Sequence, residues 1–292
     1  MKKTLGMPEG AFCVDDDVYA HLAECAKRGE QREAEWNDLM LRYAEKYPEL
    51  KKEYDAWFNQ ELPEGLMDDP ELWEYDGRIA TRATSGTMIN RLAKRLPNLV
   101  GGSADLAPSN NTYIKDGGDY SAENRSGRNM HFGVREHAMA AICNGMALHG
   151  GLRVFCGTFF VFSDYMKHAI RMSAIMKLPV TYVLTHDSIG VGEDGATHEP
   201  VEQLAGLRAI PDLQVIRPAD GKETPVAGFT GLYGNFYGRP APPCRPILVL
   251  DAALLQHRFR LRPFRHCLSG TRIRIHDGIP YFFYRQHTAF SK

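Results

Sequence analysis

The chain has 292 residues, 43% of them hydrophobic and 24% charged, with a formal net charge of -1 at pH 7. Such a length makes one large domain or two smaller ones around a substantial core. The near-neutral balance argues against a dedicated nucleic-acid or membrane-surface binder, which is normally clearly basic.

Cys13, Cys25, Cys143, Cys156, Cys244 and Cys267 are scattered, with no Cys-x-x-Cys pair. Reduced, mostly buried thiols are expected rather than a zinc or redox motif. Lys2 and Lys3 lead into Gly6, Pro8, Glu9 and Gly10 instead of an apolar core, so no signal peptide is expected. No stretch approaches the apolar length of a spanning helix. The expectation is a cytoplasmic protein without membrane contact.

Residues from about 15 to 60 read as polar helices. Asp15 to Asp17 offer N-caps, and Pro48 suits the first turn of a new helix. Trp36, Leu39, Met40, Tyr43 and Tyr47 share one helical stripe, as do Leu50, Tyr54, Trp57 and Phe58. Both stripes are expected to make core contacts. Pro63, Gly65, Asp68, Asp69 and Pro70 suggest a linker.

From about residue 78 to 222, short apolar runs alternate with helical patterns. Strands are expected at 98–101, 130–132, 153–156, 180–185 and 214–216, and helices at 84–95, 135–149, 160–177 and 199–208. This alternation implies an α/β fold: a parallel sheet with helices on both faces. Ligands bind such sheets at the carboxyl ends of the strands.

Past residue 225 the pattern breaks. Asp220-Gly-Lys-Glu223 resembles a capping box, but Pro225, Gly228, Gly231, Gly234, Gly238 and Pro240 are expected to dismantle the helix it announces. Beyond that point Glu disappears, Asp251 and Asp277 are the only acids, and Arg replaces Lys until Lys292. The expected divisions are a helical segment at 1–77, an α/β domain at 78–224 and an irregular Arg/Pro-rich tail at 225–292. That tail reads either as sequence from a shifted reading frame or as a basic nucleic-acid-binding arm.

Several segments carry candidate chemistry. Phe132-Gly-Val-Arg-Glu136-His137-Ala-Met139 puts one carboxylate at the start of a helix just after a strand. Such a carboxylate can promote the reactive tautomer of a nitrogen heterocycle, or it can simply complement the helix dipole. Phe159, Phe162 and Tyr165 recur at helical spacing. They could stack around a flat ring or pack as core.

The loop from His186 to His198 holds Gly190, Gly192 and Gly195, which spell G-x-G-x-x-G. Glu193 and Asp194 inside that turn would repel a pyrophosphate, which weakens a dinucleotide-binding, oxidoreductase reading. His186, Asp194 and His198 better suit polar contact and proton transfer with a hydroxylated substrate. They lack the tight spacing of a metal site. Arg82 and Ser109 could grip a phosphate.

In combination, Gly-Gly-Ser-Ala-Asp105-Leu, Gly-Val-Arg-Glu136-His-Ala-Met, Thr-His186-Asp-Ser-Ile-Gly-Val-Gly-Glu-Asp194-Gly and Arg217-Pro-Ala-Asp220-Gly resemble transketolase, a thiamin diphosphate enzyme, from about Thr81 to Glu223. Residues 1 to 70 resemble the segment that links that family's diphosphate-binding domain to its pyrimidine domain.

The resemblance implies a dimeric, magnesium-dependent transferase of the pentose phosphate pathway, moving a two-carbon ketol unit between sugar phosphates. By the same likeness Glu136 activates the cofactor's aminopyrimidine, and Phe159, Phe162 and Tyr165 line its pocket. His186, Asp194 and His198 contact the sugars, Arg82 and Ser109 bind the substrate phosphate, and Asp105 lies near the cofactor at a subunit interface. The family's Gly-Asp-Gly…Asn signature for magnesium and diphosphate has no match here, Asp116-Gly117-Gly118 being a poor substitute. The expectation is therefore a fragment inactive alone. It would be completed by a diphosphate-binding domain from another chain or a homodimer, as in a split transketolase. The alternative is a non-catalytic binding module with a basic tail.

Overall fold

Strands covered on both faces read as near-continuous apolar runs, and two segments here fit that description. Arg153–Phe159 is buried at every position, and Val180–Thr185 at every position but one. They form the centre of the sheet in the computed structural model, which describes residues 1–75, 79–233, 247–250, 275–276 and 279–280. The chain divides into two compact units, Met1–Ala253 and Leu254–Lys292. Of the second unit, only the short antiparallel pair Ile275–His276 and Ile279–Pro280 is described.

The first unit opens with α1 (Asp16–Lys46), α2 (Pro48–Phe58) and two 3-10 turns at Leu66–Asp68 and Pro70–Leu72. The α/β body follows: α3 (Thr81–Arg95), β1 (Leu99–Ser103), α4 (Ala107–Asn110), β2 (Asn129–His131), α5 (Glu136–His149) and β3 (Arg153–Phe159). Then come α6 (Ser163–Ile175), β4 (Val180–Thr185), α7 (Gln203–Arg208), β5 (Gln214–Ile216), α8 (Glu223–Tyr233) and β6 (Ile247–Leu250). The sheet order is β2-β1-β3-β4-β6-β5 with every pairing parallel.

Because side chains alternate across a strand, the two faces recruit different helices. Val154, Cys156, Val180, Tyr182 and Leu184 pack with Met139, Ala140, Cys143, Met166 and Ile170 from α5 and α6. Leu99, Phe155 and Val183 face the other way, onto Met88, Ile89 and Leu92 of α3. Each large side chain buried like Phe160 or Ile170 stabilises the fold by roughly 1.5–3 kcal/mol. The expected parallel sheet with helices on both faces is thus present, with the helical segment before it.

Four expectations change. First, the helix at Glu223 forms despite Pro225. The capping box closes reciprocally: the Glu223 amide donates to Asp220 Oδ1 at 2.9 Å, and the Ala219 amide donates to Glu223 Oε2 at 2.8 Å. Pro225 then falls in the first turn, where a missing N–H costs nothing. Gly228 permits the close approach of α8 to α3, since a Cβ there would meet Met88 Cε at 2.5 Å. β6 then pairs between β4 and β5, so regular structure runs past residue 225. Most of the Arg-rich tail, with Gly234, Gly238, Pro240, Cys244 and Cys267, lies outside the described residues.

Second, the stripes of α1 and α2 make no core: neither helix buries a residue. Trp36 is 51% exposed and Leu50 50%. Third, the expected linker packs, with Leu66 and Leu72 inside the second core cluster. Fourth, Cys143 and Cys156 are buried, but Cys13 is exposed. Among the described residues no helix is long and apolar enough to cross a membrane.

The helical segment is anchored at the amino-terminal end of the sheet. Arg153 Nη2 donates to the Gln60 carbonyl at 2.5 Å, and the Phe58 ring covers Gly150 and Gly151. The opposite end of the sheet is left for the loops that carry the candidate residues.

Candidate functional site

After β1 the chain steps outward to β2, then returns past β1 to form β3 on its other side. The loops following β1 and β3 therefore diverge and leave a crevice at their carboxyl ends. Asp105, Val134, Glu136, Phe162 and Tyr165 line a cleft there.

Glu136 is the first residue of α5. It is only 8% exposed, and the positive end of the helix dipole favours its charge. Its carboxylate is the acidic group set deepest in the cleft, since Asp105 is exposed. Asp105 holds a left-handed backbone (φ 62) as β1 gives way to α4, a conformation Asp tolerates better than most residues.

β3 runs through Phe159 instead of ending at Cys156, and this extension delivers the aromatics to the strand end. The rings of Phe159 and Phe162 are nearly parallel with centroids 6.0 Å apart. Phe162 and Tyr165 lie 6.1 Å apart. Phe159 is buried, whereas Tyr165 is 67% exposed and forms the outer wall.

His186 follows β4 and also takes a left-handed backbone (φ 58). Its ring stacks on Phe159 at 3.8 Å. Arg82, in the first turn of α3, places Nη1 3.0 Å from His186 Nε2. Burial pushes the His186 pKa below its ordinary 6.5, the Arg82 and His198 charges act the same way, and Asp194 partly opposes them. His198 sits edge-on to Phe162 at 5.3 Å. Asp194 lies in the exposed loop close enough to act electrostatically on His186. Six of the candidates, Glu136, Phe159, Phe162, Tyr165, His186 and His198, thus share one rim, with Arg82 beside them.

Ser109 is exposed on α4. Among the described residues no hydrogen bond joins it to Arg82, whose guanidinium is turned to His186 instead. The end of α4 nevertheless packs against α3, since a Cβ at Gly86 would touch Asn111 at 2.7 Å.

Sequence reading missed two features. Asp187 has a fully buried side chain and forms an ion pair with Arg217, fastening the His186 loop to the end of β5. Beneath His186, Thr185 and Asn110, both fully buried, form a polar chain with Ser103 and Thr112. No spacing rule links residues so far apart in sequence; the Arg217-Pro-Ala-Asp220 motif gave the only hint.

The glycine loop is no dinucleotide fingerprint. Ile189–Val191 is a 3-10 turn, and the next helix starts only at Gln203, so no helix N-terminus faces a pyrophosphate there.

Known proteins match the same region. Residues 77–227 match the family model described as the transketolase pyrimidine binding domain, and residues 1–63 match that of the transketolase thiamine diphosphate binding domain. Transketolase of Bacillus subtilis is 57% identical over 220 residues, covering 75% of this chain and 33% of that protein. Transketolase from Leishmania mexicana superposes with a TM-score of 0.76 at 39% identity, over 86% of this chain and 36% of that one. Pichia stipitis transketolase in complex with sedoheptulose 7-phosphate gives a TM-score of 0.76 at 38% identity, over 86% and 37%. The chain spans about a third of the length of the curated relatives it matches.

Proposed function

The chain belongs to the transketolase family, and we propose that its cleft holds the aminopyrimidine ring of thiamin diphosphate, within a site that transfers two-carbon ketol units between sugar phosphates. The observation that carries this reading is the Glu136 carboxylate, 8% exposed at the start of α5 and lining one cleft with Phe162 and Tyr165. A flat nitrogen heterocycle needs apolar walls and one acceptor at its edge, and these residues meet both needs.

When bound, thiamin diphosphate supplies an acidic thiazolium carbon that adds to the sugar carbonyl and carries the two-carbon unit. Glu136 would pass a proton to a pyrimidine ring nitrogen and, as the carboxylate, accept the hydrogen bond that the resulting N–H donates. Phe159, Phe162 and Tyr165 exclude water and set the ring plane. His186 and His198 meet sugar hydroxyls, with Asp194 at the mouth of the loop. Arg82, given a phosphate, leaves His186 for a stronger charge-assisted contact, with Ser109 as a second donor. The sugar phosphate bound in the Pichia stipitis relative supports this substrate class.

Among the described residues no group of three or more His, Cys, Asp or Glu side chains could hold a metal ion. Magnesium and diphosphate would be held by a diphosphate-binding domain supplied by another chain or a homodimer, with Asp105 near that junction.

The test is a chimera in which residues 77–227 replace the matching stretch of Bacillus subtilis transketolase. Ketol transfer should survive the exchange, and Glu136→Gln should lower kcat by roughly 10²–10⁴-fold. A Glu136→Gln chimera with undiminished kcat would sink the reading.

A further inference from the structure

The loop that carries Asp194 and His198 is long, and among the described residues its own hydrogen bonds close within it. Ser188 Oγ accepts the Gly190 amide, the Gly195 carbonyl accepts the His198 amide, and Thr197 Oγ1 meets His198 Nδ1 at 2.8 Å. None of these three fastens the loop to the rest of the site. At its start the Asp187–Arg217 ion pair does so, and at its end Gln203 does.

Gln203 opens α7, is only 5% exposed, and uses both ends of its side-chain amide. Oε1 accepts the Val201 amide at 2.9 Å, and Nε2 donates to Asp164 Oδ2 at 2.9 Å. The partners fix this orientation. Turned over, the amide would set its NH2 against an N–H and its oxygen against a carboxylate. A buried amide left without partners is costly, so the bond to Asp164 is strongly held.

Asp164 lies in the first turn of α6, between Phe162 and Tyr165. The latch therefore joins the end of the His198 loop to the turn that presents the aromatic wall. Only Glu199 and Pro200, the latter buried and with its φ locked, separate His198 from Val201. The His198 ring stands edge-on to Phe162 at 5.3 Å and to Phe159 at 6.2 Å.

We propose that Asp164 and Gln203 are positioning residues whose hydrogen bond holds the His198 ring at the aromatic wall, with Nε2, the nitrogen that Thr197 does not meet, offered to the substrate. The functional half of this rests on the reading of the cleft as a sugar-phosphate site. The placement of the ring can be tested without it.

The first experiment is ¹H–¹³C correlation of the histidine rings in the full chain at slightly alkaline pH, without cofactor, with the His198 signals assigned by their loss in His198→Gln. Ring currents of Phe162 and Phe159 should displace the wild-type signals from those of free histidine. Asp164→Asn, which keeps an acceptor for Gln203, should leave them in place. Asp164→Ala and Gln203→Met should move them toward the free values. A folded Asp164→Ala chain with wild-type His198 signals overturns the proposal, and so does an Asp164→Asn chain shifted as far as Asp164→Ala. Should Gln203→Met fail to fold, the two variants at the exposed Asp164 still decide. In the chimera carrying residues 77–227, Asp164→Ala should lower kcat/KM for the sugar phosphate by roughly 10–10²-fold and Asp164→Asn far less; equal values for the two variants overturn the positioning role. A chimera that transfers no ketol unit before any substitution would sink the reading of the cleft and leave the spectra untouched, so the two failures are distinguishable.

Discussion

Protonating His186 works against the fold. Burial first, and then the Arg82 charge, hold its pKa below the ordinary 6.5. The unfolded chain therefore takes up this proton more readily than the folded one. The neutral ring's contribution to stability is complete above 6.5 and is lost as pH falls through the unfolded value toward the lowered folded one. Urea midpoints followed from slightly alkaline pH down to about pH 5 should fall further for wild type than for His186→Gln; parallel curves would contradict this. The Asp187–Arg217 pair makes a second demand. Arg217→Met strips a fully buried carboxylate of its guanidinium, and the expected loss is about 3 kcal/mol in denaturant unfolding. A loss near zero would mean the loop does not depend on this clasp. Glu136, Phe159, Phe162 and His186 stood out in the sequence as candidates because each lies at or just after a strand end. The Asp187–Arg217 pair was not, because residues 30 positions apart meet only through the tertiary fold.

Among the elements, β3 shows how local signals mislead. The expected strand stopped at Cys156, yet β3 continues to Phe159. Gly157 is needed there for room: a Cβ would stand 2.9 Å from Thr112 Cγ2 and 3.1 Å from the Val183 carbonyl. Gly157→Ala should therefore cost about 1–3 kcal/mol by overpacking, read as a lower urea midpoint, with the Ser103–Thr112 contact disturbed. An unchanged midpoint would show that the neighbours give way freely. Two other strands were easy to read, since β4 and β5 occupy the ranges the apolar runs marked. Helix α8 was misread because its Pro and Gly residues were weighed without position. Pro225 sits in the first turn, and Gly228 meets Met88; Pro in mid-helix would have broken the element, and Gly on an open surface would have cost it about 1 kcal/mol.

At the scale of the whole chain, two surfaces stand out against the buried sheet. Helix α1 exposes Leu22, Trp36 and Leu39, and the outer face of α5 exposes Ile142 and Leu148, with Val134 just before it. Exposed apolar side chains of this kind are the sort that contact with further polypeptide would cover. This agrees with a chain that spans about a third of its curated relatives. Helical periodicity revealed the α1 stripe but not what covers it, because amphipathicity reports only that a face seeks burial. The 292-residue chain, supplied with thiamin diphosphate and magnesium, should show no ketol transfer; robust turnover would place a diphosphate anchor within it. The central claim concerns a single carboxylate, and it can be read in the chimera carrying residues 77–227. Rapid-quench NMR would follow hydrogen–deuterium exchange at the thiazolium carbon of bound thiamin diphosphate. Exchange should be roughly 10²–10⁴-fold slower in Glu136→Gln than in the unmodified chimera; equal rates in the two proteins would contradict the account.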